Sequence, residues 1–206
     1  MISRTSRPDT RSRLLLYLLL VLVLAIGALL ILFQLRPHSY HGWLLESPKP
    51  AADFTLTSGS GERVSLSDFR GKLVLLYFGY TYCPDVCPTS MAAIAEAMRQ
   101  LGARSEDVAV VMVTVDPGRD TPEKVAEYAA HFNPDFIGLS GTPEEIAAAA
   151  TPLGIYYEKR GAGGENYTVD HTATITVVDR EGRVRLVFPF ETTPEEIASD
   201  LAALLR

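Results

Sequence analysis

From Leu14 to Leu35 the chain reads LLLYLLLVLVLAIGALLILFQL, with no charged side chain and a single amide, Gln34. A helix needs about 20 apolar residues to cross a hydrocarbon core roughly 30 Å thick, so this run has the length of a membrane span. The competing reading is a cleaved secretory signal. Its apolar stretch is usually only about 7–15 residues and leads into a small-x-small cleavage site, whereas Leu29 to Phe33 is bulky where that site should fall. The expectation is one uncleaved transmembrane helix.

Its orientation follows from the flanks. Arg4, Arg7, Arg11 and Arg13 precede the run against one acid, Asp9, and only Arg36 follows closely. The positive-inside bias keeps such an N-terminus in the cytoplasm and sends the remainder across. An Arg/Ser-rich start also suits a mitochondrial presequence, but 13 residues is short for one. The expected location is the bacterial inner membrane, with a periplasmic C-terminal domain. That domain is acidic, because residues 37–206 hold 14 basic against 24 acidic side chains. It has no electrostatic reason to bind nucleic acid or an anionic membrane surface. Its acidity suits solubility first and cationic partners second.

Residues 37–50, PHSYHGWLLESPKP, carry three prolines and no periodicity, which reads as linker. The expected organisation is a cytoplasmic N-terminus (1–13), the anchor (14–35), a linker (36–50) and one periplasmic domain (51–206). His38 and His41 are expected to be solvated spacer residues.

Within the domain, DFTLTSGSGERVSLSDF (53–69) alternates around SGSG as a β-hairpin does. KLVLLYFGY (72–80) and VAVVMVTVD (108–116) are continuous apolar runs of strand length, as in strands buried on both faces. PTSMAAIAEAMRQLGA (88–103) gathers Met91, Ile94, Ala95, Met98 and Leu101 on one helical face before Gly102. TPEKVAEYAAHF, TPEEIAAAATPL and TPEEIASDLAALL each open with a threonine cap and proline at the first helical position; the last two add a glutamate at capping-box spacing. FIGLS (136–140) is a short strand, IYYEKR (155–160) another, and GAGGEN (161–166) a flexible loop. TATITVVDREGRVRLVF (172–188) is a second hairpin. Strands alternating with helices imply parallel β-α-β units covered on both faces. The order as a whole predicts an α/β, thioredoxin-like fold with an N-terminal β-hairpin and an inserted β-α. Ligands in such sheets sit beyond the carboxyl ends of the strands.

The only two cysteines, Cys83 and Cys87, lie just past the carboxyl end of the first central strand, in FGYTYCPDVCP. With Pro88 expected to begin the helix, Cys87 falls at its N-cap, where the helix dipole favours a thiolate. An oxidising compartment makes a disulfide the default for such a pair unless it is reduced or metal-bound. A disulfide, a redox couple and half of a metal site all remain open. Two cysteines are too few for iron–sulfur clusters, and structural zinc fills four positions; copper(I) accepts three soft ligands. The topology offers His171, in NYTVDHTATITVV, as the third, since the loop before the closing hairpin faces the cysteine loop. Asp170 either orients that histidine or caps the turn, and His131, beside Phe132, is expected to be structural.

The succession FGYTYCPDVCP, VTVDPGRDTP, FIGLSGTPEEI and YTVDHTATI resembles the Sco/SenC family over about residues 50–205. These are membrane-anchored, thioredoxin-like copper proteins that help assemble the dinuclear copper centre of cytochrome c oxidase. The resemblance implies Cys83, Cys87 and His171 as ligands of Cu(I) or Cu(II), cysteines able to form a disulfide, and two partners. Those are the copper-bearing oxidase subunit and an upstream periplasmic copper donor. It also implies that Asp116, Arg119 and Asp120 lie near the site, contacting a partner or ending a strand and capping a helix, with Tyr82 tuning affinity.

Two functions follow. One is a copper chaperone, which is not in itself an enzyme. The other is a membrane-anchored thiol–disulfide oxidoreductase that reduces the cysteines of the oxidase copper site, with Cys83 and Cys87 as its redox pair. Against a general reductase stand the absence of proline from residues 167–188, with Ala173 where thioredoxin-like reductases carry one, and the C-x-x-x-C spacing. SLSDFRGKLVLLYF also fits a peroxiredoxin, but the proline expected before its peroxidatic cysteine is missing.

Overall fold

The computed structural model describes residues 10–34, 38–161 and 167–206, and the chain divides into two compact units, Met1–Ser39 and Tyr40–Arg206. The first unit contains α1 (Thr10–Gln34). The expected span over 14–35 includes residues 30, 31 and 33–35, whose side chains lie outside the described residues. Within the described residues, no helix is long and apolar enough to cross a membrane.

The second unit is built on an eight-stranded mixed sheet. In chain order its strands are β1 (Trp43–Pro50), β2 (Thr55–Ser58), β3 (Arg63–Ser65), β4 (Leu73–Gly79), β5 (Val108–Thr114), β6 (Ile137–Ser140), β9 (Ile175–Val178) and β10 (Arg183–Phe188). They lie side by side as β1-β10-β9-β4-β5-β6-β2-β3. The remaining strands, β7 (Tyr157–Arg160) and β8 (Thr168–His171), form a separate antiparallel ribbon. The flexible loop expected at 161–166 lies outside the described residues beyond Gly161.

Every residue of β4 and β5 is buried, as their unbroken apolar runs require. They pair in parallel through α2 (Val86–Leu101), and β5 pairs in parallel with β6 through α3 (Pro122–Phe132). Helix α2 buries Met91, Ile94, Met98 and Leu101 as expected, with Ala97 in place of the half-buried Ala95. Gly138 lets α3 approach the sheet, since a Cβ there would meet the Val125 carbonyl at 2.3 Å. α4 (Pro143–Ala150) and α5 (Pro194–Leu204) open with the expected capping boxes, Thr142–Glu145 and Thr193–Glu196. The architecture is the expected mixed α/β, thioredoxin-like one.

Two expectations change. Residues 43–50 are not linker, because Trp43–Pro50 pairs antiparallel with β10 at the edge of the sheet. Edge strands need no apolar run, which is why the segment lacks strand patterning. Nor is His41 a solvated spacer: its Nδ1 lies 3.0 Å from Oδ1 of Asp200, while the other carboxylate oxygen accepts the His41 and Gly42 backbone N–H groups.

Candidate metal centre

The site sits where β4, β5 and β9 present one end of the sheet. β4 runs out at Gly79, and the chain turns through Tyr80–Asp85 into α2. The exit admits no side chain, since a Cβ on Gly79 would lie 2.8 Å from Cε1 of Tyr77 and 3.0 Å from Sγ of Cys87. On the other flank of β4, β9 enters antiparallel with Ile175 opposite Tyr77. His171 ends β8 four residues before that pairing, so chain direction alone brings it beside the cysteine loop. It stands on a strand, opposite Tyr157 of β7, rather than on a turn.

The three expected donors converge. Sγ of Cys83, Sγ of Cys87 and a ring nitrogen of His171 all lie within 4.8 Å of one another, and His171 Nε2 stands 3.4 Å from Cys87 Sγ. His171 Nδ1 lies 3.1 Å from the Thr172 carbonyl oxygen. A carbonyl only accepts, so Nδ1 carries the proton and Nε2 presents its lone pair to the sulfurs. Tyr77 and Tyr80 meet the imidazole edge-on, at centroid distances of 6.3 and 5.9 Å. Tyr80, Cys83, Pro84, His171, Ala173 and Phe190 line an open cleft of about 460 Å³ leading to the group.

The two thiols are unequal, and not in the expected sense. α2 begins at Val86, so Cys87 lies inside the first turn, fully buried, while Cys83 is half-buried. The helix start points at Cys83, whose sulfur accepts the Cys87 backbone N–H at 3.4 Å. The Cys87 thiol donated to Cys83, together with the backbone N–H groups of Asp85 and Cys87, lowers the Cys83 pKa to about 4. That same donation, followed by burial, pushes the Cys87 thiol up. Thiolate character therefore belongs to Cys83.

Asp116, Arg119 and Asp120 are within reach of the site but turned inward. Asp120 accepts hydrogen bonds from Thr81 N (2.9 Å), Thr81 Oγ1 (2.6 Å) and Thr114 Oγ1 (2.7 Å), tying the cysteine loop to β5. Asp116 accepts from Arg119 Nε (2.5 Å) and Tyr167 OH (2.6 Å). The Arg119 guanidinium stacks 3.6 Å from the Tyr167 ring centroid and 4.8 Å from that of exposed Tyr82. Both carboxylates are fully buried, which gives them a structural part. Asp170 does not orient the histidine, because it is exposed and accepts from Arg160 Nε at 2.9 Å. His131 is exposed and packs edge-on against Phe132.

Sequence reasoning missed Tyr77, Tyr80 and the Thr172 carbonyl. Tyr77 carries the only polar side-chain atom in LVLLYFG, a signal the apolar run conceals.

The donor chemistry suits a soft cation. Two sulfurs and an imidazole select copper(I) over hard ions, and structural zinc would want a fourth ligand. The whole is a thioredoxin-like domain with a Cys₂His donor group at the carboxyl end of its central strand.

The family model SCO1/SenC matches residues 45–206, and the chain belongs to that family. It is similar to the solution structure of apo Sco1 from Thermus thermophilus, at 44% identity over 81% of this chain and 98% of that one, with a TM-score of 0.75. It is also similar to Bradyrhizobium japonicum ScoI with copper bound, at 42% identity over 75% and 98% of the two chains, TM-score 0.69. BsSco, described with a disulfide switch and as a member of the Sco family of cytochrome c oxidase assembly proteins, is 25% identical over 78% and 97%, TM-score 0.61. Sco structures thus hold copper, and this chain has a Cys-Cys-His group suited to it.

Proposed function

We propose that the chain is a membrane-anchored copper chaperone that loads the dinuclear copper centre of cytochrome c oxidase, with Cys83, Cys87 and His171 as its copper ligands. Copper is the cargo. The observation that carries this reading is the convergence of the three soft donors within 4.8 Å at the mouth of an open cleft. Half-buried Cys83 and His171 line the opening and buried Cys87 lies behind them, so an incoming ligand meets Cys83 before Cys87. Transfer by ligand exchange needs that order. Residues 14–35 form the anchor, residues 1–13 remain in the cytoplasm, and the donor domain lies in the periplasm of a bacterial cell. There it receives copper from a periplasmic donor and passes it to the copper-bearing oxidase subunit.

A second reading has one observation in its favour. An accessible thiolate at Cys83 beside a protonated thiol at Cys87 is the pairing that thiol–disulfide exchange uses. Reduction of the target cysteines must precede copper entry, so both activities fit one site.

The test is anaerobic Cu(I) titration of the reduced full chain in detergent micelles, against a competing chelator and with thiols counted before and after. One copper per chain is expected, with loss of more than about tenfold in affinity on replacing His171 by Ala. Unchanged copper content and spectrum in His171→Ala would remove the histidine from the ligand set. Rapid multiple turnover of an oxidase-subunit disulfide without copper would give precedence to the reductase.

A further inference from the structure

Tyr77 stands in the middle of β4 with no exposed surface, and its hydroxyl completes no hydrogen bond of full geometry, although it faces the Ser90 and Cys87 side chains. Buried hydroxyls are nearly always paired, and phenylalanine would fill the same space without the cost of stripping an oxygen of water. That oxygen belongs to a ring that borders the metal donors. The ring edge and the Cys87 sulfur meet over Gly79, at 2.8 and 3.0 Å from the one point where a Cβ would stand. The same ring faces the His171 imidazole edge-on.

We infer that Tyr77 is a positioning residue for the metal: its hydroxyl donates to the Cys87 sulfur once that sulfur is a metal-bound thiolate. The inference rests on the copper reading above. Without metal, the sulfur of a protonated Cys87 thiol is only a weak acceptor. A metal-bound thiolate is a much stronger one, because hydrogen bonds to charged acceptors are roughly twice as strong as neutral ones. The hydroxyl therefore gains a full-strength acceptor on loading. The cost of leaving it without one falls on the empty state and is relieved in the filled one, which favours retention. Hydrogen bonds to a ligating cysteine sulfur also tune the electronic character of the metal–sulfur bond.

The experiment compares the wild-type chain with Tyr77→Phe, both full-length, reduced and in detergent micelles. Thermal unfolding is followed without metal, Cu(I) affinity by chelator competition, and the sulfur-to-copper absorption after addition of Cu(II). The expected result is a metal-free midpoint at or above the wild-type value, copper affinity about tenfold weaker, and a charge-transfer band moved to longer wavelength. A metal-free midpoint well below wild type with an unmoved band would assign Tyr77 a packing role alone and overturn the inference; so would equal affinity with superimposable spectra. A second measurement needs no variant. In wild type labelled at the tyrosine Cζ carbon, the Tyr77 resonance should move on Cu(I) loading, and a static resonance counts against the bond. If wild type itself retains no copper, the copper reading fails and the inference goes with it. If wild type loads and Tyr77→Phe matches it, the inference alone fails.

Discussion

The carboxyl ends of β4 and β5 are neighbours, joined by the Val115 N–H donating to the Gly79 carbonyl at 2.8 Å, yet they are finished in opposite ways. Beyond β5, Asp116 and Asp120 are fully buried, and their carboxylates are surrounded by donors: two threonine hydroxyls, a backbone N–H, a tyrosine hydroxyl, a guanidinium and, at 3.5 Å, the Lys159 ammonium. Beyond β4, two free thiols and an imidazole meet with few hydrogen bonds among them, over a tyrosine hydroxyl that completes none of full geometry. A buried carboxylate is tolerable only when saturated, so the β5 end is rigid and chemically spent. A sulfur with spare lone pairs is reactive, and it stays reactive only if something else fixes its backbone. Asp120 does that by holding Thr81, two residues before Cys83.

The largest expected effect therefore comes from breaking the saturated side. Asp120→Ala strands the Thr81 N–H and two hydroxyls and should lower stability by about 3 kcal/mol, measured by urea unfolding of the metal-free chain. Copper retention should fall as well, because the loop bearing Cys83 loses its tie to β5. A stable variant with full copper affinity would show that the cysteine loop holds its shape unaided and would dissolve the contrast.

Most of the fold was legible because its elements announce themselves by pattern. The apolar runs of β4 and β5, the SGSG and D-R-E-G turns and the threonine-capped helices are all local signals. The convergence of Cys83, Cys87 and His171 was legible at one remove, through topology, since chain order determines which loops share an end of the sheet. The errors lie where the cause is not local. Trp43–Pro50 is a strand because β10 offers it an edge, and nothing in WLLESPKP signals that. Which cysteine faces the helix start depends on whether α2 begins at Val86 or Pro88, a shift within the ordinary uncertainty of helix ends. Tyr77 was hidden for the reverse reason. A tyrosine in a buried strand looks like core until its oxygen is asked for a partner.

The next effect in size comes from the inequality within the unsaturated side. In the reduced, metal-free chain, iodoacetamide should modify Cys83 at least about tenfold faster than Cys87, a barrier difference of roughly 1.4 kcal/mol, read by mass-spectrometric peptide mapping. Since the Cys83 pKa is lowered to about 4, its rate should stay flat as pH falls from about 8 to 5. An ordinary thiol, with a pKa near 8.5, would lose reactivity throughout that range. The sign for stability follows the same way. Between roughly pH 4 and 8.5 the unfolded thiol binds the proton that folded Cys83 has lost, so the Cys83 contribution is present above that window and is lost as pH falls through it. Preferential modification of Cys87, or a rate rising steeply through pH 8, would reverse the assignment of the thiolate.

The smallest effect is the sharpest control on the comparison, because it concerns another aspartate close to the site. Asp170 is adjacent in sequence to His171, and a carboxylate beside a ligand histidine commonly orients its ring. Here the Thr172 carbonyl takes the His171 Nδ1 proton instead, and Asp170 faces solvent with Arg160. Exposed ion pairs of this kind contribute about 0–1 kcal/mol. Asp170→Ala should accordingly leave copper affinity within about twofold and stability within about 0.5 kcal/mol of wild type, while Asp120→Ala, further away in sequence, disrupts both. Burial and saturation, rather than nearness along the chain, then decide which acids the donor group depends on. A tenfold loss of copper in Asp170→Ala would mean that the imidazole takes its orientation from the side chain after all, and that burial and saturation do not decide which acids the donor group depends on.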